Sequence, residues 1–275
     1  PAAGVRPRGA AVPTVRHADR RARAGRREPD DILVPGMSEL RSRLRRVGHK
    51  GADLIAPGNT YASFDAALEA GVDMIEFDVL REENGERLIL AHDYADAAGR
   101  SPHTLEEGLA HLGSEAFGNV ELDVDLKLPG YELQVLDALR DAGLLHRALI
   151  SSQHMSSLEL LRAAEPGVRL GWSVPKLTRD PFRSRATRLP AFVAMLAFRL
   201  VLPWRAARAI RARRCDALMV HWRLVTPRLV RHVRSAGGEV YVWTVDELPR
   251  LRELDGLGVT GVITNDPRLF AELAM

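Results

Sequence analysis

The sequence predicts an eight-stranded parallel α/β barrel of the (β/α)8 TIM type, and three observations carry this prediction. From residue 46 onward, strand and helix patterns alternate through eight units, and the strands are short and strongly apolar. A chain of 275 residues is long enough for one such barrel and a tail. Polar or aromatic residues follow nearly every strand, which indicates a lined pocket at the C-terminal end of the barrel.

The elements follow one another in regular order. Strands are predicted near residues 46–49, 73–79, 119–126, 147–152, 168–174, 216–221, 239–244 and 260–264. Helices are predicted near residues 59–70, 104–112, 131–142, 155–164, 226–236, 247–256 and 267–274. Residues 88–92 are expected to extend the second strand after a turn, because Asn84-Gly85 is a hairpin signal.

The first 36 residues differ from the rest in composition. They are rich in Arg, Ala, Gly and Pro and lack an apolar period, which predicts a disordered tail. Met37 makes a sensible native start, so the barrel domain is assigned to residues 37–275. A nucleic-acid-binding arm is the alternative, but no aromatic residue is interleaved with the arginines. No nucleic-acid partner is therefore expected.

The formal net charge of +3 conceals a strong partition. Residues 1–46 carry 12 Arg against 5 acids, and residues 176–214 carry 11 basic residues against Asp180 alone. These segments hold +7 and +10, which leaves −14 for an acidic barrel. With a single cysteine, no signal-like run and no unbroken apolar stretch of about 18 residues, the chain is expected to be cytoplasmic.

The basic segment, residues 176–214, is predicted to be a helical insertion after the fifth strand. Its middle, residues 190–204, is apolar apart from Arg199, and Pro203 is expected to divide it into two helices. One interpretation places the insertion on an anionic membrane, with Trp204 at headgroup depth and the protein peripheral to the inner face. The other packs two amphipathic helices on the barrel wall.

The stretch that suggests chemistry runs from residue 47 to residue 93. Glu76 and Asp78 lie two residues apart on a predicted strand and so point the same way. Near a core, their repulsion and desolvation are costly unless a cation lies between them, so the pair predicts a divalent metal site. A solvated face is the alternative, but the flanking residues are too apolar for one. His49 and His92 follow apolar runs, which places both at strand tips as catalytic candidates or as ordinary capping residues.

An ordered set of motifs resembles the glycerophosphodiester phosphodiesterase family. The matching strings are His49-Lys50-Gly51, Pro57-Gly58-Asn59-Thr60, Glu76-Phe77-Asp78, His92-Asp93, Asp123-Val124-Asp125-Leu126-Lys127, Val242-Trp243-Thr244-Val245-Asp246 and Gly261-Val262-Ile263-Thr264-Asn265-Asp266-Pro267. The family motifs read His-Arg-Gly, Pro-Glu-Asn-Thr, Glu-x-Asp, His-Asp, Asn-Ile-Glu-Ile-Lys, Val-Trp-Thr-Val-Asn and Gly-Ile-Ile-Thr-Asp-x-Pro. The chain departs from them at Lys50, Gly58 and Asp125, where the family has Arg, Glu and Glu.

The resemblance implies a phospholipase C-like phosphodiesterase barrel. It implies metal-dependent hydrolysis of glycerophosphodiesters or lysophospholipids to a phosphomonoester and an alcohol. Two histidines, His49 and His92, would share the proton transfers. One Mg²⁺ or Ca²⁺ would be held by Glu76, Asp78 and Asp125, because an all-carboxylate set suits a hard cation better than zinc.

Four further residues are candidates for binding phosphate or substrate: Lys50, Asn59, Lys127 and Trp243. The lysines are notable because the chain otherwise uses Arg, with Lys50, Lys127 and Lys176 its only three lysines. Two alternatives to the phosphodiesterase remain open. One is a sphingomyelinase D- or lysophospholipase D-like enzyme on the same barrel, and the other is a catalytically inactive barrel that binds membranes.

Overall fold

The computed structural model describes residues 44–175 and 185–273 and confirms the eight-stranded parallel barrel. The predicted tail, residues 1–36, and the first part of the insertion, residues 176–184, lie outside the described residues. The strands are β1 (Arg45–Gly48), β2 (Met74–Arg81), β3 (Leu88–Leu90), β4 (Glu121–Leu126), β5 (Ala148–Ser152), β6 (Arg169–Val174), β7 (Ala217–His221), β8 (Glu239–Trp243) and β9 (Gly261–Thr264). Parallel pairing runs β1-β2-β4-β5-β6-β7-β8-β9 and closes because β9 pairs with β1.

Helices connect the strands in the predicted order. They are α1 (Tyr61–Glu69), α2 (Tyr94–Ala98), α3 (Leu105–Leu112), α4 (Glu132–Asp141), α5 (Met155–Ala164), α6 (Arg185–Arg211), α7 (Pro227–Ser235), α8 (Leu248–Leu257) and α9 (Leu269–Leu273). The side chains of Thr60, Thr104 and Thr226 accept hydrogen bonds from backbone amides in the first turns of α1, α3 and α7. These caps fix where the three helices begin. Helix α2 was not expected, and Asp93 caps it in the same way.

The barrel interior is filled in layers. Arg169 bridges Glu121 and Glu239 at 2.8 and 3.0 Å and fills the N-terminal end. Above it lies an apolar layer that is almost fully buried, made of Val47, Met74, Leu149, Ala217, Met219, Tyr241 and Ile263. A larger apolar cluster lies between the outer strand faces and the helices. The N-terminal end is therefore closed, and polar groups that point inward collect at the C-terminal end.

The second strand continues beyond the barrel as a hairpin. Strand β3 pairs antiparallel with the end of β2, with Val79 opposite Leu90 and Arg81 opposite Leu88. This confirms the expected extension of the second strand. His92 follows β3, as the apolar run before it indicated, and the returning strand places it at the barrel rim.

The described part of the insertion, from residue 185, forms one helix, α6, without the break expected at Pro203. Both Pro190 and Pro203 lie inside this helix. A proline in a helix interior costs about 3 kcal/mol, but the C-terminal part of α6 is buried through Leu202, Ala206 and Ile210. Packing therefore outweighs the lost hydrogen bond. By length and composition alone, the segment Leu189–Arg211 could cross a membrane. Of its most apolar 18 residues, 17% are buried in the structure.

Candidate active site

A cavity of about 750 Å³ opens at the C-terminal end of the barrel. His49, Glu76, His92, Asp125 and Lys127 line it from the side of β1, β2 and β4. Residues of β7, β8 and α6 line the opposite side, because β7 lies four strands from β2 in the closed order. The cavity therefore has a charged wall that faces a mainly apolar wall, in which His221 and Arg223 are polar members.

Three buried carboxylates form the centre of the charged wall. Glu76, Asp78 and Asp125 each offer an oxygen, and these oxygens all lie within 4.8 Å of one another. Lys127 forms ion pairs with Asp78 and with Asp125, the latter at 2.7 Å. The pair with Asp78 is made by Oδ1, while Asn59 occupies Oδ2. Three carboxylates against one ammonium leave an excess of negative charge, so the donor set fits a hard divalent cation.

The pKa shifts of these groups follow from burial and from one another. Burial, together with the Asp78 carboxylate, raises the pKa of Glu76 well above its ordinary value. Burial also disfavours the charged form of Asp78, but Lys127 and the two histidines outweigh it and lower the pKa of Asp78. Burial opposes the charge on Lys127, yet the surrounding carboxylates raise the pKa of Lys127 well above its ordinary value. The ammonium therefore stays charged.

Asn59 lies behind the cluster and does not line the cavity. Its Nδ2 donates to Asp78 Oδ2 at 2.9 Å, and its Oδ1 accepts from the Asp78 amide at 3.0 Å. The side chain is buried, with 1% exposure, and its backbone is left-handed with φ 59°. Both ends of the amide thus engage Asp78, and Asn59 orients that carboxylate. That Asn59 also binds phosphate stays a prediction.

Lys50 likewise acts through its backbone. Its amide donates to Glu76 Oε2 at 2.8 Å, whereas its ammonium lies 3.3 Å from Asp53 Oδ2. Lys50 is absent from the cavity lining, and its expected phosphate contact stays a prediction. The loop reaches Glu76 because it folds back tightly after β1, where a Cβ on Gly48 would lie 2.1 Å from the Gly51 carbonyl oxygen.

His49 has a defined hydrogen-bonding pattern. Its Nδ1 lies 2.6 Å from Asn265 Oδ1, and Asn265 Nδ2 donates to Asp246 Oδ2 at 2.7 Å. Since Asp246 fixes the amide orientation, Asn265 Oδ1 must accept from His49 Nδ1–H. Neutral His49 then carries its lone pair on Nε2, which lies 3.9 Å from Glu76 Oε2. Burial lowers the pKa of His49, which favours this neutral form.

His92 lies in a more open environment. Its side chain is half exposed, and its Nδ1 lies 3.2 Å from Asp93 Oδ2. The backbone amide of His92 donates to Asp96 Oδ2 at 3.0 Å, which ties the residue to α2. Both histidines line the cavity, and the His92 side chain is 50% exposed against 20% for His49. His92 is therefore the more accessible of the two to solvent.

The contact between Asp246 and Asn265 explains two further departures from the family motifs. Those motifs have Asn where this chain has Asp246, and Asp where it has Asn265. The structure places the two side chains in direct hydrogen-bond contact, and the Asn265 amide also donates to Asp246 Oδ1 at 2.8 Å. The two departures are thus one exchanged pair. Neither residue was among the predicted site residues, although both lie in the matched motifs.

We expect Asn265→Asp to raise the pKa of His49, because it places a carboxylate against Nδ1. If His49 is the general base, which works when neutral, the acidic limb of kcat/KM should move to higher pH. The variant also places the new carboxylate at position 265 against the carboxylate of Asp246. Asp246→Asn/Asn265→Asp should relieve that repulsion and restore turnover at alkaline pH, while the limb stays shifted. If the acidic limb of kcat/KM stays at the wild-type pH in both variants, Asn265 does not act on His49.

Trp243 and α6 complete the cavity. Trp243 lines it as predicted and packs edge-on against His221, with ring centroids 5.1 Å apart. The apolar wall also includes Ala191, Ala194, Met195 and Phe198 of α6. These α6 residues were not predicted site residues, because the sequence gives no indication of which face of the helix turns toward the barrel.

Comparisons with known proteins are consistent with this site. A sequence model of the Glycerophosphoryl diester phosphodiesterase family matches residues 49–101 and 103–269. A glycerophosphodiester phosphodiesterase of Caldanaerobacter subterraneus subsp. tengcongensis is 24% identical over an alignment of 260 positions, and the match covers 82% of this chain and 96% of the relative.

Two solved structures share the fold. A putative glycerophosphoryl diester phosphodiesterase from Silicibacter pomeroyi has a TM-score of 0.66 and 20% identity, covering 84% of this chain and 94% of its own. A phosphodiesterase of Oleispira antarctica, solved with the product sn-glycerol-3-phosphate, has a TM-score of 0.60 and 19% identity. The match covers 84% of this chain and 97% of the Oleispira chain.

Proposed function

The chain belongs to the glycerophosphoryl diester phosphodiesterase family and is a phosphoric diester hydrolase, and from this we propose a metal-dependent hydrolysis of glycerophosphodiesters or lysophospholipids. The products would be a phosphomonoester and an alcohol. The observation that carries the proposal is the buried cluster of Glu76, Asp78 and Asp125, which faces a cavity shared with two histidines. Binding of sn-glycerol-3-phosphate by the Oleispira relative supports a glycerol phosphate moiety in the substrate.

The proposed metal is one Mg²⁺ or Ca²⁺. Glu76, Asp78 and Asp125 would hold it, because their oxygens converge and one ammonium, that of Lys127, does not balance three carboxylates. When bound, the ion would neutralise phosphate oxygens as charge develops on them. Asp125 is one carbon shorter than the family's Glu, and Ser151 Oγ donates to its Oδ1 at 3.1 Å, which holds the shorter side chain in place.

The two histidines would divide the proton transfers according to their surroundings. His49 is kept neutral by burial and carries its lone pair on Nε2, so it is the proposed base that deprotonates the attacking oxygen. His92, beside Asp93 and water, is the proposed acid that protonates the oxygen of the leaving alcohol. One phosphorus–oxygen bond forms and one breaks, and water supplies the net oxygen and both protons. Lys127, a permanent cation that lines the cavity, would stabilise the phosphate.

Product identification tests this proposal against the sphingomyelinase D-like alternative and against an inactive barrel. Glycerophosphocholine, lysophosphatidylcholine and sphingomyelin would be incubated with the enzyme and Mg²⁺ or Ca²⁺. We expect choline release from glycerophosphocholine or lysophosphatidylcholine, each with a phosphomonoester, and none from sphingomyelin. Choline from sphingomyelin alone would favour the alternative, and the absence of any product would contradict catalysis.

We also propose that this protein is cytoplasmic and contacts the inner face of an anionic membrane through the insertion, residues 176–214. Thirteen large apolar side chains are exposed among the described residues, and seven of them lie on α6. Four more lie at the same end of the barrel: Leu54, Ile55, Leu128 and Leu133. Eleven basic residues in the insertion would add attraction of about 1 kcal/mol each near an anionic surface.

The apolar side chains of α6 differ in how free they are for this contact. Trp204 packs edge-on against His232 at 4.7 Å and Arg228 lies over its ring, yet its side chain is 57% exposed and would still be open to lipid headgroups. Phe198 lines the cavity. Phe192 and Leu196, which are 47% and 42% exposed, remain available for lipid.

We expect the protein to sediment with anionic vesicles at low salt and to be released at high salt, because screening weakens the attraction of the arginines. Phe192→Ser/Leu196→Ser should reduce sedimentation at least several-fold. Leu160→Ser is the matched control, because Leu160 is equally exposed, at 44%, but lies on α5. Sedimentation that the double variant leaves unchanged would contradict a contact through α6.

A further inference from the structure

Helix α6 is far longer than the other helices of the barrel. Its 27 residues span about 40 Å, whereas the other helices have at most 10 residues. The C-terminal part of α6 packs on the barrel through buried Leu202, Ala206 and Ile210. Residues 189–201, here called the overhang, are partly or fully exposed and reach the cavity. The overhang therefore extends α6 to the C-terminal end of the barrel, where it lines the cavity on the side opposite the charged wall.

One stripe of the overhang faces the cavity. Ala191, Ala194, Met195 and Phe198 line it, and their spacing of three, four and seven residues places them on a single helix face. Met195 and Phe198 also pack against the main apolar cluster, so the stripe is held in place. Arg199 Nε donates to the Arg223 carbonyl oxygen at 2.8 Å and fastens the overhang to the loop after β7.

The stripe stands opposite the catalytic groups. Helix α6 connects β6 with β7, and these strands lie four positions from β1 and β2 in the closed order. His49 and the acidic cluster are carried by β1, β2 and β4, so the cavity of about 750 Å³ separates them from the stripe. Leu224 and Trp243 continue the apolar wall between the two sides. A free glycerophosphodiester is polar throughout and gains nothing from such a wall.

We infer that this stripe is an acyl-chain subsite, and that the enzyme takes monoacyl glycerophosphodiesters, the lysophospholipid class, in preference to free glycerophosphodiesters. The inference rests on the proposed function, because it assumes that the phosphate lies at the acidic cluster. The headgroup and phosphate occupy the charged wall, and the acyl chain crosses the cavity to lie along Ala191, Ala194, Met195 and Phe198. The two alanines leave room for the chain beside Met195 and Phe198.

Rates for monomeric substrates of increasing acyl length test the subsite. Lysophosphatidylcholines below their micelle concentrations are compared with glycerophosphocholine, so that attachment to lipid aggregates plays no part. In the wild type, kcat/KM should rise about three- to fourfold for each methylene that reaches the stripe, and then level off. Phe198→Ser and Met195→Ser should each flatten this rise. Val193→Ser is the control, since Val193 lies on the overhang but is 58% exposed and outside the cavity lining, and the rise should persist.

The possible outcomes separate the subsite from the reaction itself. Turnover of glycerophosphocholine with no dependence on acyl length would overturn the subsite and leave the proposed function intact. A rise that Phe198→Ser and Met195→Ser leave unaltered would also overturn it. If no diester is hydrolysed, the proposed function fails, and calorimetry with a monomeric alkylphosphocholine decides the subsite. The subsite then requires binding that tightens with alkyl length in the wild type and in Val193→Ser but not in Phe198→Ser.

Discussion

Asp78→Asn should lower the turnover of glycerophosphocholine by about 10³-fold at a metal concentration that saturates the wild type. The substitution removes a charge from the cluster at nearly constant shape, and a bound metal contributes several kcal/mol to the transition state. Asn59 can still donate to residue 78, so we expect the fold to be retained. The measurement is the rate of choline release as the concentration of Mg²⁺ or Ca²⁺ is increased.

Asp123→Asn is the matched control for this change. Asp123 is buried on the same strand as Asp125 but lies outside the group of three oxygens. Burial, with the nearby Asp125, raises the pKa of Asp123 to about 8, so at pH 7 it is already mostly neutral. Asparagine also occupies this position in the family motif. We expect turnover within about threefold of the wild type. Equal losses in both variants would indicate a general effect of the buried acids on the barrel.

His49→Ala should lower kcat by about 10² to 10⁴, the usual contribution of a positioned base. The fold should survive, because Asn265 keeps its two hydrogen bonds to Asp246. Since burial lowers the pKa of His49, the wild type should retain activity below pH 6.5, and the acidic limb attributable to this base should vanish in the variant. The measurement is the pH profile of kcat/KM for both proteins.

Added imidazole provides a second readout for the same variant. If the loss reflects a missing base, imidazole should restore part of the turnover of His49→Ala, and the restored rate should follow the neutral imidazole concentration. His92→Ala removes the proposed acid, and we expect its turnover to fall at least 10²-fold. Its kcat/KM should keep the acidic limb that His49 sets. Near-normal turnover in either variant would remove that histidine from the mechanism.

The sequence was sufficient to predict the barrel because the strands are short, apolar and separated by regular helical patterns. Helix starts such as Thr60 and Thr104 also carry local capping signals. Pro203 was misleading, because intrinsic propensity predicted a break where burial of Leu202 and Ala206 preserves the helix. The hairpin that carries His92 to the rim was also predictable, because Asn84-Gly85 is a local turn signal.

At the site, the sequence indicated the charged side chains better than the residues that hold them in place by hydrogen bonds. Alternation along β2 and β4 is enough to bring Glu76, Asp78 and Asp125 to one wall. The roles of Lys50 and Asn59 depend on a loop that folds back onto β2, which no local pattern describes. The pairing of Asp246 with Asn265 joins the ends of two strands and becomes visible only when β8 and β9 lie side by side.

The central claim is that Glu76, Asp78 and Asp125 hold a divalent cation on which phosphodiester hydrolysis depends. It is tested most directly by measuring choline release from glycerophosphocholine by the wild-type enzyme after exhaustive chelation and again after adding back Mg²⁺ or Ca²⁺, with calorimetry to count the bound ions. We predict that turnover is lost on chelation, returns with one bound ion per chain, and fails to return in Glu76→Gln. Full turnover in excess chelator, with no ion bound on titration, would contradict the claim.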